Sequence, residues 1–245
     1  MVVLRKLSVV LGLCFGLAAA GLATAGLAGA KDQGTFDLQI RGITAGVLAF
    51  SGTNDGKTYG VAGQLESTGL AAFLRKVRFD AKASGRISKG VWLPGRYDEQ
   101  ADTGKRQSQS RLEYKGGIPR ELLKESRVGN PNYVDPATQK GTVDPLTALY
   151  AMLRDVPVAE ACKLKLFMFD GARRSQVVLG SAEPKGDTIT CPGEYRRLAG
   201  FSAAEMAEKQ RFAFRVTYGP AEAGFVRVIL VSMDSLYGRA ALTRR

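Results

Sequence analysis

Apolar residues recur at every second position through most of this chain, and that period constrains the fold more than any other feature. Phe36, Leu38 and Ile40 alternate with Asp37, Gln39 and Arg41, and Phe212, Phe214, Val216 and Tyr218 alternate with Arg211, Ala213, Arg215 and Thr217. Successive side chains of an extended strand point to opposite faces, so alternation marks strands with one buried and one wet face. Such strands belong to antiparallel sheets, because parallel sheets are covered on both sides. Turn residues separate the runs, as in Asn54-Asp55-Gly56, Ser88-Lys89-Gly90 and Asp102-Thr103-Gly104. The expected fold class is mainly β: about twelve antiparallel strands in a curled, partly closed sheet, half-barrel or barrel-like, with one principal helix packed against it. Gly60 and Gly63 inside a strand are expected to bend or bulge it. Pro94 and Gly95 mark the strand holding Trp92 as an edge or bulged strand.

One stretch, 135–156, follows a different period. Asp144 is placed to cap the exposed N–H groups of a helix, and Pro145, with its fixed φ and no N–H, suits the first helical position. Leu146, Leu149, Tyr150 and Leu153 follow at i, i+3, i+4 and i+7, an apolar stripe for one helix face. Pro157 is expected to end the run. Two shorter helical turns are expected. One spans 67–74, with Leu70, Phe73 and Leu74 on one side, as a lid or corner; the other spans 202–209, with Ser202 and Glu205 in a capping-box spacing. The connection 128–142 is long for a compact domain, which makes it a candidate binding loop.

The first thirty residues read as a cleavable signal peptide: Arg5 and Lys6 open it, an apolar run follows, and Ala25 or Ala30 precedes the cut. Cys14 sits behind Leu13 inside that run, where lipoprotein processing would need a small residue. Residues 31–245 then form one β-rich domain exported to the periplasm. Of the formal net charge of +12, Arg5 and Lys6 supply two, which leaves +10 on the mature chain. That sign favours anionic surfaces such as phospholipid headgroups, although Arg173, Arg174, Arg196, Arg197, Arg211 and Arg215 are scattered as on a solvated sheet face. Cys162 and Cys191, in an oxidising compartment, are expected to form a disulfide. Strands separated by a third lie about 9.5 Å apart, beyond bridging distance, so Cys162 must precede its strand or the intervening strand must end short.

The chain contains no histidine. That removes Ser-His-Asp and Cys-His nucleophile systems, HExxH metalloproteases and nearly all zinc sites, and no metal or cofactor is expected. Carboxylates remain: Asp98, Glu99 and Glu113, and the trio Asp135, Asp144 and Asp155, for which helix capping and solvation are the simpler roles. No catalytic residue is assigned. Aromatics such as Trp92, Phe167 and Phe169, with Phe212 and Phe214, read as core. A sheet of this size nevertheless encloses more than one helix fills, so Leu146, Leu149, Tyr150 and Leu153 are candidate ligand-binding residues above an apolar pocket. Nucleic acid is not an expected partner, since no aromatic and basic RNA-binding motif occurs.

The opening FDLQIRGITAGVLAFSG, the later STGL segment, the helix VDPLTALYAMLRDV and the late CPGEYRRLAGF resemble a broad family of exported Gram-negative proteins catalogued as a domain of unknown function. The similarity runs from about Gly34 to Arg244, with Asp144-Pro145-Leu146-Thr147-Ala148-Leu149-Tyr150 as its clearest motif. The resemblance implies an antiparallel, partly closed sheet and supplies no catalytic residue. The leading expectation is a non-enzymatic periplasmic protein, peripheral to the membrane at most, that holds an amphiphilic or lipid-like envelope component. The alternatives are an envelope-assembly scaffold and a carboxylate-dependent hydrolase of envelope polymer.

Overall fold

The computed structural model describes residues 30–124, 130–222, 224–236 and 238–245. Residues 1–29 of the leader expected over 1–30, Cys14 among them, and the last residues of the strand expected to reach 127 lie outside them.

The sheet begins with β1 (Ala30–Ile40), β2 (Ile43–Asn54), β3 (Thr58–Ser67), β4 (Arg78–Ser88), β5 (Val91–Asp102), β6 (Gln107–Lys115) and β7 (Ile118–Lys124), with helix α1 (Gly69–Leu74) between β3 and β4. Helix α2 (Pro145–Leu153) follows, then β8 (Val156–Pro157), β9 (Lys165–Phe169), β10 (Arg174–Leu179), β11 (Glu183–Lys185) and β12 (Thr188–Ala199). Helix α3 (Ala203–Glu208), β13 (Arg211–Pro220), β14 (Phe225–Ser235) and β15 (Gly238–Arg244) complete the chain. All fifteen strands belong to one antiparallel sheet, ordered β7-β6-β5-β4-β3-β2-β1-β15-β14-β13-β12-β10-β9, with β11 on β12 and β8 on β14. The expectation of about twelve strands falls short because β8 and β11 are too short to show a period. The strand expected over 163–169 also starts later, at Lys165.

The first described strand pairs with the last, Phe36 with Arg244 and Ile40 with Ala240, in the middle of the sheet order. The free edges are β7 and β9, which are not paired to each other among the described residues. The segment before α2 spans that seam. Gly141 N–H donates to Gly117 O at the β6–β7 turn (2.9 Å), while Val143 exchanges hydrogen bonds with Phe167 O (2.8 Å) and Phe169 N–H (2.9 Å) on β9. The connection expected as a binding loop is, over its described part, a strap between the two edges.

The curl is visible in the core. Phe36 on β1, Tyr97 on β5, Leu112 on β6, Phe169 on β9 and Val216 on β13 belong to one buried cluster around α2. Leu146, Tyr150 and Leu153 are buried there, as are Thr147, Ala148 and Ala151. A helix with so little polar surface has to lie inside the sheet. Two glycines let it approach. A Cβ on Gly52 would stand 2.8 Å from the Tyr150 ring, and one on Gly63 would stand 2.7 Å from Leu146 Cδ1. No bulge occurs at Gly60 or Gly63, since β3 pairs with β2 and β4 without a register shift. The expectation for the Trp92 strand holds in its bulged form: the β4–β5 register slips between Ser84 and Gly85, leaving Gly95 as the extra residue.

The helix itself is shorter than 135–156. Residues 136–138 form a separate 3-10 turn capped by Asp135. The run ends at Leu153 with Arg154 extended, because Val156 and Pro157 pair with β14 instead. Cys162 and Cys191 form a disulfide with Cα atoms 5.4 Å apart. Both geometric conditions are met. Cys162 precedes β9, in a left-handed turn with φ 64°, and β10 ends at Leu179 opposite Gly193, short of Cys191.

Candidate ligand cavity

Helix α2 contributes to the lining of two spaces, Pro145, Ala148, Leu149 and Met152 to one and Ala151 to the other. On the core side Asp144, fully buried, accepts from Thr147 N–H (2.8 Å) and from the Thr147 hydroxyl (2.6 Å). Thr147 Oγ1 in turn lies 2.9 Å from the Tyr59 hydroxyl on β3. Burial pushes this carboxyl up to about 6 despite the hydrogen bonds from Thr147 that lower it. Burial and the Asp144 charge together push the Tyr59 hydroxyl well above its ordinary value. Asp144 and Pro145 are thus the cap the sequence marks, and Asp144 acts there as a buried latch.

The four stripe residues part company. Leu149 lies about 60° round the helix from Leu146 at 3.6 residues per turn, and it turns away from the sheet core. With Pro145, Ala148 and Met152 it floors a cavity of about 640 Å³. The walls are Leu38, Leu48 and Leu65 from β1 to β3, Phe212 and Phe214 from β13, and Val231 and Met233 from β14, with Leu242 from β15. A bulge sets the β14 wall. The β13–β14 register slips between Thr217 and Tyr218, so Val226 and Val228 face inward before the slip and Val231 and Met233 after it. The Leu146, Tyr150 and Leu153 side of the stripe is filled, and the Leu149 side leaves room.

Polar groups gather at one edge of this cavity. Arg173 and Arg197 flank Phe201, their guanidinium carbons 5.2 Å and 5.4 Å from the ring centroid, and all three line the space. Arg197 donates to the carbonyls of Glu205 (2.5 Å) and Lys209 (3.0 Å), which anchors it to α3. Arg173 lies 3.4 Å from Glu205 Oε1 and is partly exposed. The sequence places these arginines on a solvated sheet face. The Gly200 turn packs against Ala172 and Arg173, which brings Phe201 between the two arginines, and their spacing in the chain gives no sign of it.

The second space, about 990 Å³, lies beyond the C-terminal end of α2 and mixes charged side chains with apolar ones such as Trp92, Val156 and Leu179. Asp155, expected as an ordinary solvated residue, is paired there with Arg227 at 2.5 Å, and Arg154 reaches Glu160 at 3.2 Å. The remaining carboxylates are also engaged. Asp98 binds Arg96 at 2.6 Å and also Arg111, and Glu99 accepts from the Tyr97 hydroxyl at 2.5 Å, while Glu113 lies 4.0 Å from Arg96. No cluster of three or more metal-ligating side chains occurs among the described residues. No described helix is long and apolar enough to cross a membrane.

A family model described as a protein of unknown function, DUF3108, matches residues 35–238. Among solved structures the chain is similar to a β-barrel-like protein of the domain of unknown function DUF1849 from Brucella abortus. That similarity has 11% identity and a TM-score of 0.45, covering 88% of this chain and 95% of the other. No curated protein matches.

Proposed function

The chain belongs to the DUF3108 family of proteins of unknown function, and we propose that it is a non-enzymatic periplasmic protein that holds an amphiphile with its apolar part in the Leu149 cavity. The observation that carries this reading is the cavity lining. A buried water needs two to four polar partners, and the floor of Pro145, Ala148, Leu149 and Met152 offers no polar side chain. The volume of about 640 Å³ falls within the range of roughly 300–1,000 Å³ common for small-molecule sites. Arg173 and Arg197 at the edge suit an anionic head, since a planar guanidinium matches carboxylate or phosphate in two hydrogen bonds. The disulfide supports an oxidising compartment. A chain without histidine lacks the commonest general base, which favours binding over catalysis.

Native mass spectrometry of the purified protein, followed by organic extraction, tests the reading directly. A copurifying amphiphile is expected, along with saturable binding of the fluorescent probe N-phenyl-1-naphthylamine. Leu149→Trp, which fills the floor, is expected to abolish probe binding while circular dichroism stays that of a folded sheet. Probe binding unchanged in that folded variant would sink the proposal.

A further inference from the structure

The connections at the cavity end of the sheet are unlike those at the other end. Antiparallel order places the β1–β2 turn, α1, the β5–β6 turn, α3 and the β14–β15 turn together at this end. The cavity reaches it, because Leu38, Met233 and Ala240 in its wall lie within a few residues of those turns. Phe73 on α1 is 88% exposed and Ile43 at the start of β2 is 63% exposed. They are neighbours in the fold, with α1 packed along β2 and Thr68 N–H bonded to Ala45 O at 3.1 Å.

Beside them stands a basic group. A Cβ on Gly104 would lie 2.8 Å from Arg75 Cγ and 2.7 Å from Lys76 O, so the β5–β6 turn carrying Lys105 abuts the residues that follow α1. Arg75, Lys76 and Lys105 are exposed, and no carboxylate pairs with them among the described residues. The opposite end also exposes Val91 and Phe225 and carries Lys57 and Lys89, while Arg227 and Arg154 there are paired with Asp155 and Glu160. A fully exposed aromatic and a β-branched aliphatic beside three unpaired cations complement an anionic bilayer, whose interface takes apolar side chains and whose headgroups attract Lys and Arg.

We propose that this end docks on an anionic phospholipid surface, with Phe73 and Ile43 entering the interface and Arg75, Lys76 and Lys105 on the headgroups. The inference deepens the preceding reading by turning the cavity towards the bilayer, yet it stands on surface residues that line no part of the cavity. Docking there gives an amphiphile a path between membrane and cavity with little exposure to water.

The test is cosedimentation of the protein, purified in the form the cell accumulates, with vesicles of phosphatidylcholine alone and with one-third phosphatidylglycerol. Binding to the anionic vesicles, weakened by salt, is expected. Each basic residue near such a surface contributes about fivefold, so R75A/K76A is expected to lower affinity by about twenty-fivefold. Phe73→Ala lowers it further, while K57A/K89A, at the opposite end, leaves it unchanged. Phe73→Trp is expected to shift its emission to the blue on binding and to be quenched by brominated lipid. Absence of vesicle binding, or equal loss in R75A/K76A and K57A/K89A, overturns the proposal. Naphthylamine binding in solution is measured on the same variants. If it persists when docking is lost, the cavity reading stands on its own; if it is absent throughout while docking persists, the cavity reading fails and the docking surface remains.

Discussion

Tyr150 on α2 donates a hydrogen bond of 2.6 Å to Asp32 on the first strand, 118 positions earlier in the chain. Burial raises the Asp32 carboxyl above its ordinary range, and the Tyr150 bond is the largest of the effects that lower it. Tyr150→Phe leaves a half-buried carboxylate without that donor, a loss of about 1–3 kcal/mol. The charged form suffers most, so the loss in chemical-denaturation midpoint is expected to be larger at pH 7.5 than at pH 4.

Asp144 makes a distinct pH prediction. Its folded value of about 6 lies above the ordinary 3.8, so the folded state binds the extra proton between those values and the protein gains stability as pH falls through that window. The gain amounts to about 2–3 kcal/mol for a shift of this size. Asp144→Asn keeps an oxygen for the Thr147 N–H and removes the titration. Urea titrations of both forms at pH 7 and pH 4.5 are expected to show the wild type gaining relative to the variant; parallel behaviour would refute the buried-latch account.

Gly52 and Gly60 provide a matched pair. Gly52→Ala drives a methyl into the Tyr150 ring and towards the Gly60 carbonyl, 3.1 Å away, an overpacking loss of about 1–3 kcal/mol. Gly60→Ala meets nothing nearer than Thr53 Oγ1 at 3.9 Å and is expected to be close to neutral in the same unfolding assay.

Arg244 joins three elements. It donates to Val228 O (2.7 Å), Gln33 O (3.0 Å) and Leu153 O (3.4 Å), with its guanidinium carbon 4.8 Å from the centre of the Phe36 ring. Arg244→Lys keeps the charge but cannot span three carbonyls in one plane. It is expected to lose about as much thermal stability as Arg244→Leu, within roughly 1 kcal/mol.

The disulfide closes a separation of 29 residues, worth roughly 3 to 4 kcal/mol by the loop-entropy argument. C162S/C191S is expected to unfold at correspondingly lower denaturant, with the native far-ultraviolet dichroism retained in its absence.

Local chemistry was legible throughout the chain. The period of two marks most strands, Ser202 with Glu205 makes the capping box seen at α3, and Asp144-Pro145 opens α2 where the residues say it should. Val156 and Pro157 were not legible as a strand, since a two-residue pairing has no period. Gly63 reads from the sequence as a bend or bulge, whereas a Cβ there would meet Leu146, a residue that only the folded helix brings above it.

The sequence by itself therefore determined most of the longer strands, the caps of α2 and α3 and the apolar stripe of α2, which depend on residues near one another in the chain, and the pairing of the two cysteines of the mature chain, which follows from their number. Tertiary structure alone decided that β1 lies against β15, that the strap at Val143 spans the seam, and that Leu149 faces open space while Leu146, Tyr150 and Leu153 face the sheet. It also brought Arg173, Arg197 and Phe201 to the cavity edge. These arrangements rest on strand register and sheet curl, which are set by pairings between distant segments and by the closing of packed side chains around the helix.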